Sequence, residues 1–237
     1  MVKTLRKFRF GLLLAVPVLA VTALALRADE RDGRLVPAPV LDNPKADGPL
    51  QTVVVAGGCF WGVQGVFEHV HGVKQALSGY AGGEMNTASY HLVGTGETGH
   101  AESVQITFDP KEVSYGELLR VYFSVAHDPT QLNRQGNDVG PQYRSEIFYA
   151  DEAQRKVAEA YIAQLDAAHA FPDRIVTKVE KLKGFYAAEA YHQDYLIHHP
   201  ESGYIQYFDL PKIANLKRLF PNSYESTPAM VKTGEHS

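Results

Sequence analysis

Cysteine and tryptophan each occur once in the 237 residues, and methionine three times. A single thiol excludes an internal disulfide, and with it the paired-cysteine motifs of zinc sites and dithiol redox sites. Basic charge is not in surplus: 23 lysines and arginines stand against 27 acidic residues, a formal net charge of -4. No broad positive field is available to a phosphate backbone, so nucleic acid is not expected as a partner. No internal repeat is present. What the chain does have is core material, 45% apolar against 21% charged residues, enough for one globular domain.

The first 26 residues differ from the rest. Lys3, Arg6, Lys7 and Arg9 precede an uncharged apolar run from Phe10 to Leu26. That is the pattern of an export signal, with Ala23-Leu24-Ala25 as a small-residue cleavage site. The run is only slightly shorter than the roughly 20 residues that span a bilayer, so a membrane anchor is the alternative. Either reading places the protein outside the cytoplasm, periplasmic or anchored facing the periplasm. Residues 27–50 contain Pro37, Pro39, Pro44 and Pro49 and read as a proline-rich tether. A folded domain is expected over 51–222, with a flexible tail over 223–237.

Within that domain, Val53-Val54-Val55 forms a buried-strand run stopped by Gly57-Gly58. Val63, Val66 and Phe67 then recur at helical spacing from Phe60 to His69. A strand is expected near Gly72–Ser78, and another where Ser103–Phe108 alternates. Ser114 with Glu117 is a capping-box pattern ahead of Leu118, Leu119, Tyr122 and Phe123. Glu146–Ala150 reads as a strand and Asp151 as the N-cap of a helix reaching about His169. Ile175–Leu182 alternates again, and Ala187–His198 reads as a final helix. Two long loops, Gly79–His100 and His127–Arg144, are expected to converge at one end of an α+β sheet.

Cys59 lies in Gly57-Gly58-Cys59-Phe60-Trp61-Gly62, where a strand ends and a helix begins. Unpaired amides at a helix N-terminus favour negative charge, so a thiolate near neutral pH is one expectation. A small buried hydrophobe is the other. Gly58 permits a tight turn and leaves room for a ligand beside the backbone. Phe60 and Trp61 supply either an apolar wall beside the sulfur or plain core.

Gly58-Cys59-Phe60-Trp61-Gly62 resembles the signature of the A-type peptide methionine sulfoxide reductases. Further segments match that family in the same order. They are Gly79-Tyr80-Ala81-Gly82-Gly83, Thr98-Gly99-His100-Ala101-Glu102, His127-Asp128-Pro129-Thr130, Asn133-Arg134-Gln135-Gly136-Asn137-Asp138, Gln142-Tyr143-Arg144-Ser145 and Tyr191-His192-Gln193-Asp194-Tyr195. The resemblance spans about Val53 to Leu196. With it, the expected fold is a compact two-layer α+β sandwich, a mixed sheet with a ferredoxin-like core, helices packed on it, and long loops around the active site.

The resemblance implies reduction of methionine S-sulfoxide, free or in proteins, with Cys59 as nucleophile and a sulfenic acid left on it. It implies Glu102 as the proton donor, Tyr90 and Tyr143 as hydrogen-bond donors to the sulfoxide oxygen, and Asp138 as a residue shaping the site. Phe60 and Trp61 would cradle the substrate methyl, with Gly58 and His100 also at the substrate. From the residues alone, Glu102 is equally an exposed carboxylate at a strand start. Tyr90 follows Asn86-Thr87-Ala88-Ser89, one residue longer than the family's Asn-Pro-Thr-Tyr.

The family's resolving cysteine is missing, since Gly203-Tyr204 is followed by Ile205. Recycling is therefore expected from an external thiol: a thioredoxin-like protein, a glutaredoxin or a small thiol. No cofactor or metal is expected, and a monomer is. Gly94-Thr95-Gly96-Glu97-Thr98-Gly99 fits Gly-x-Gly-x-x-Gly but leads into a strand, against a dinucleotide site. His100-Ala101-Glu102 lacks the paired cysteines of a zinc deaminase, and His192, His198 and His199 lack a ligand spacing. A thiol peroxidase and a noncatalytic binder of oxidised-methionine peptides are the competing functions.

Overall fold

The structure is a computed structural model that describes residues 33–231. The export segment expected at 1–26 lies outside the described residues, as do 27–32 and 232–237.

The elements follow in the order β1 (Gln51–Gly57), α1 (Phe60–Glu68), β2 (Val73–Ala81), α2 (Tyr90–Val93), β3 (Ala101–Phe108) and α3 (Tyr115–Val121). Then come the short strands β4 (Arg134–Gln135) and β5 (Asp138–Val139), β6 (Ser145–Tyr149), α4 (Glu152–Ala167), β7 (Lys178–Lys181), β8 (Phe185–Ala187), α5 (Tyr195–His198) and α6 (Leu210–Leu219). Six strands form one sheet in the order β7-β6-β1-β3-β2-β8, and β4 pairs with β5 separately. The sheet is mixed, because β6 and β7 run parallel while the other neighbours are antiparallel.

The valine run explains why β1 is central. Val53 and Val55 point into the main core with Val63, Val66 and Phe67 of α1 and Leu118 and Leu119 of α3. Val54 and Ala56 point to the opposite face, beside Phe148, Ala81 and Ala101. A strand buried on both faces needs such a continuous apolar run. The capping box forms as the sequence implies: Glu117 N–H donates to Ser114 Oγ at 3.1 Å, and Ser114 N–H to Glu117 Oε2 at 2.8 Å. Asp151 caps α4 by accepting from Gln154 N–H at 2.9 Å.

Three expectations change. The stretch from residue 33 to 50 forms no helix or strand, yet it is a strap bound to the domain. Val36 is buried, Arg34 N–H donates to Ser124 O at 2.8 Å, and the Tyr161 hydroxyl donates to Pro37 O at 2.6 Å. Asp42 lies across the start of α3, accepting from Ser114 Oγ and from Gly116 N–H at 2.7 Å. Proline removes backbone donors without preventing carbonyls and side chains from bonding outward. The beginning of the expected tail also returns to the domain, with Glu225 N–H on His69 O and Ala229 N–H on Glu68 O, both at 2.8 Å.

The third change is at Ala187–His198, which is not one helix. Ala187 ends β8, a 3-10 turn spans Ala190–His192, and Asp194 takes φ +53 before the single turn of α5. Side chains there bond to other elements instead of continuing the helix. Gln193 accepts from Ser78 N–H and donates to Ser78 O, both at 2.9 Å, and Gln64 Nε2 donates to Asp194 Oδ1 at 3.3 Å. Such polar contacts override helical propensity.

Replacing Asp42 by alanine should lower the unfolding free energy by about 1 kcal/mol, the usual cost of a lost helix-start acceptor. Urea denaturation checks this, and an unchanged midpoint would return residues 33–50 to the status of a tether.

Candidate active site

The turn Gly57-Gly58-Cys59 is built by exclusion. Gly58 takes φ +86, and a Cβ on it would stand 2.5 Å from Gln135 Cγ. The Gln135 side chain occupies that space and is held on both sides by Asp128: Gln135 Nε2 donates to Asp128 O at 2.7 Å, and Asp128 N–H to Gln135 Oε1 at 3.0 Å. The space expected for a ligand beside Gly58 is thus filled by protein. Behind Gly57, a Cβ would stand 2.9 Å from the His127 ring. That ring packs against Tyr122, tilted by 30° with centroids 4.0 Å apart, and has Nε2 2.7 Å from Ser145 Oγ. Burial pushes its pKa down to about 3, so it is neutral filler under the turn.

Cys59 is the N-cap of α1 and is partly exposed. The thiolate expected at rest does not emerge. Burial raises the Cys59 thiol well above its ordinary value, and the charges of Glu102, Asp209 and Asp138 add to it. The Trp61 backbone N–H lowers it without compensating. The helix N-terminus works in the expected direction, and three carboxyls and desolvation outweigh it.

Glu102 is not a surface carboxylate. It pairs with Tyr80 inside the sheet, is only 4% exposed, and accepts from Phe60 N–H through Oε2 at 3.1 Å. Burial raises its pKa to about 8, against the opposing effect of that N–H and with the further push of Asp138. At neutral pH it therefore holds its proton.

The loops deliver the remaining groups. Glu189 positions Tyr90 by accepting from its N–H at 3.0 Å and from the Tyr80 hydroxyl at 2.8 Å. Arg144 holds the Tyr143 turn, donating to Pro141 O and to Gly99 O, each at 3.0 Å, with Glu146 as its ion-pair partner. The phenols of Tyr90 and Tyr143 are both raised, first by burial and then by the charges of Glu102, Cys59 and Asp138. Mutual influence of this kind requires proximity, so Cys59, Glu102, Tyr90, Tyr143 and Asp138 share one site.

Two expected contacts fall elsewhere. His100 is buried with both ring nitrogens engaged, Nδ1 accepting from Gly83 N–H at 3.2 Å and Nε2 3.0 Å from Glu84 O. It braces the loop after β2. Phe60 is sealed in the core, 5.9 Å from Tyr80 and 5.1 Å from His192 between ring centroids. Trp61 is the ring left half-open, stacked on Tyr195 at 3.8 Å and bonded through Nε1 to His192 Nδ1 at 3.2 Å.

Sequence reasoning gave no site role to Tyr204, His192 or Asp209. The Tyr204 hydroxyl donates to Asp138 Oδ2, and its ring lies edge-on to Trp61 at 5.8 Å. The available signal was an aromatic beside a glycine at Gly203-Tyr204, which by itself names no role.

The chain matches the family model described as peptide methionine sulfoxide reductase over residues 51–223. It is 58% identical to "Peptide methionine sulfoxide reductase MsrA 2" of Mesorhizobium japonicum, over 81% of this chain and 97% of the relative. It is 47% identical to the protein of the same description from Synechocystis, over 81% and 92%. Among solved structures, methionine sulfoxide reductase A of Corynebacterium diphtheriae superposes with TM-score 0.56 at 35% identity, covering 74% of this chain and 92% of that one. Reduced Mxr1 of Saccharomyces cerevisiae gives 0.58 at 33% identity, covering 66% and 91%. The chain belongs to the A-type peptide methionine sulfoxide reductases and is a peptide-methionine (S)-S-oxide reductase.

Proposed function

We propose that Cys59 Sγ attacks the sulfur of a methionine S-sulfoxide while Glu102 protonates the departing oxygen. The observation that carries this reading is the buried Glu102 carboxyl bonded to the first amide of the helix that Cys59 caps. Phe60 N–H occupies Oε2, which leaves the other oxygen for the transferable proton. A sulfoxide is polarised with positive sulfur, and its arrival beside Sγ favours the thiolate that burial opposes in the empty site. Tyr90 and Tyr143, both protonated phenols, donate to the negative oxygen. Trp61 offers apolar surface to the methyl group.

Attack joins Sγ to the methionine sulfur as the S–O bond breaks and the protonated oxygen leaves as water; a water oxygen then bonds to Sγ, the S–S bond breaks, methionine departs with its sulfur reduced by two electrons, and Cys59 is left as a sulfenic acid. Two external thiol equivalents then restore Cys59, releasing water and a disulfide. A thioredoxin-like protein, a glutaredoxin or a small thiol fits this role, because the sequence holds no second cysteine. Export to the periplasm, by a cleaved signal or an anchor, is proposed on the basic-then-apolar pattern of residues 3–26. A monomer acting in the repair of oxidised proteins completes the reading.

With dithiothreitol as electron source, the wild-type protein should turn over the S epimer and leave the R epimer, and Cys59→Ser should turn over neither. Residual turnover in Cys59→Ser would remove Cys59 from the chemistry. A single turnover without reductant should add one oxygen to Cys59, read by mass spectrometry after trapping.

The pH dependence follows from Glu102. Its acid form is the donor, so the single-turnover rate at saturating sulfoxide should be full below about 8 and fall as pH rises through that value. Glu102→Gln should slow the step about 10²- to 10⁴-fold, the usual contribution of a positioned acid. The alkaline limb should vanish with it; a limb that survives in Glu102→Gln would assign the proton to another group.

A further inference from the structure

Asp209 takes no part in the chemistry above, yet it is buried at the edge of the site. It closes the π-helical turn Ile205–Asp209, just before Pro211 in the first turn of α6. Its side chain is 0% exposed. Oδ1 accepts from Lys212 Nζ at 3.1 Å, and Oδ2 has no hydrogen-bond partner among the described residues. A buried carboxylate oxygen left without a donor is a cost that needs a reason.

The carboxylate reaches this position because residue 62 is glycine. A Cβ there would stand 2.0 Å from Asp209 Oδ1 and 2.7 Å from Lys212 Nζ. Gly62 is three residues beyond Cys59, in the same helical turn, so the half-bonded carboxylate presses on the turn that carries the sulfur.

We propose that Asp209, clamped between Lys212 and the glycine face of α1, is a positioning residue that keeps Cys59 protonated while the site is empty. The groups that bear on Cys59 are Glu102 from β3, Asp138 from β5, Asp209, and the phenols of Tyr90, Tyr143 and Tyr204. Burial raises the pKa of Asp209 itself, and Lys212, bonded to it at 3.1 Å, pulls it back toward the charged form; the Lys212 charge also reaches His127. After burial and Glu102, Asp209 is the next cause holding the thiol high. Glu102 keeps its own proton at neutral pH, which leaves Asp209, bonded to Lys212, and the more weakly acting Asp138 as the other carboxyls bearing on the resting sulfur.

The benefit lies in what a lone thiol must avoid. A thiolate attacks peroxide, the O–O bond breaks, hydroxide leaves, and Cys59 is oxidised by two electrons to the sulfenic acid with no methionine repaired. Lacking a second cysteine, the chain cannot close that product into a disulfide before further oxidation. A sulfur protonated at rest reacts poorly with peroxide, and ionises when a sulfoxide enters.

The inference rests on Cys59 being the nucleophile, and its test needs no reductase turnover. Alkylation of substrate-free enzyme by iodoacetamide is followed against pH, read at Cys59 by mass, for wild type, Asp209→Asn and Gly62→Ala. Sulfenic acid formed by hydrogen peroxide at pH 7 is trapped with dimedone in parallel. Asp209→Asn should lower the alkylation midpoint by about one pH unit, roughly tenfold faster reaction at neutral pH, with peroxide oxidation accelerated alongside. Gly62→Ala, whose new methyl displaces the carboxylate, should shift the midpoint the same way. It also decides the matter if Asp209→Asn does not fold. Midpoints that stay fixed or rise in the folded variants overturn the proposal. Failure of Cys59→Ser to abolish S-sulfoxide turnover would instead strike the reading beneath it.

Discussion

The hydrogen bond from Phe60 N–H to Glu102 joins the first turn of α1 to the middle of the sheet, and the site's geometry depends on it. It fixes a carboxyl opposite the sulfur whose helix it caps. It also consumes one of the few free amides that would otherwise stabilise a resting thiolate. The same arrangement buries the carboxyl, so that desolvation, the largest cause, holds its proton. An acid ready to donate and a thiol slow to ionise thus arise in one buried arrangement, in which desolvation outweighs the downward pull of the Phe60 amide on Glu102.

Around that contact, the family's motif segments divide into groups that act and groups that hold. His127, Asp128 and Gln135 fill the space that two glycines leave open, and so fix the direction in which Cys59 emerges. Arg144 and Glu189 carry no chemistry of their own, but they set Tyr143 and Tyr90 on opposite loops. Gln193 and Asp194 bind the strand edge and α1, and so set Tyr195 of α5 against Trp61. His100, next to Glu102 in sequence, braces a loop by both ring nitrogens.

This division limits what the sequence could disclose. Strands and helices whose burial follows from local pattern, such as Val53-Val54-Val55 and the Ser114–Glu117 box, were legible because neighbouring residues decide them. Ala187–His198 was misread because its helical spacing competes with bonds to Ser78 and Gln64, over a hundred residues away in sequence. The strap was misread because proline content speaks for the absence of helix and strand and says nothing of docking. For the site, Cys59, Glu102, Tyr90, Tyr143 and Asp138 were named by resemblance, and the structure brings them together. The contact of Asp209 with α1 could not be read, since the two meet only after the chain has folded back on itself. The helix α6 did carry a local signal, Pro211 in its first turn with Ile213 and Leu216 facing the core.

The fate of the sulfenic acid is bound to that last segment. Ile205 stands where the family's resolving cysteine would follow Gly203-Tyr204, and it is fully buried. Its turn is held at both ends, by Tyr204 on Asp138 and by Asp209 on Lys212 against Gly62. Moving any residue of this turn to Sγ would expose Ile205, at about 1.5–3 kcal/mol for a buried side chain of its size, and break both anchors. The segment therefore serves as a fixed wall of the site instead of a mobile arm. On the proposed mechanism the reductant is an external thiol. With no cysteine in this turn to deliver, its residues hold Asp138 and press on the first turn of α1.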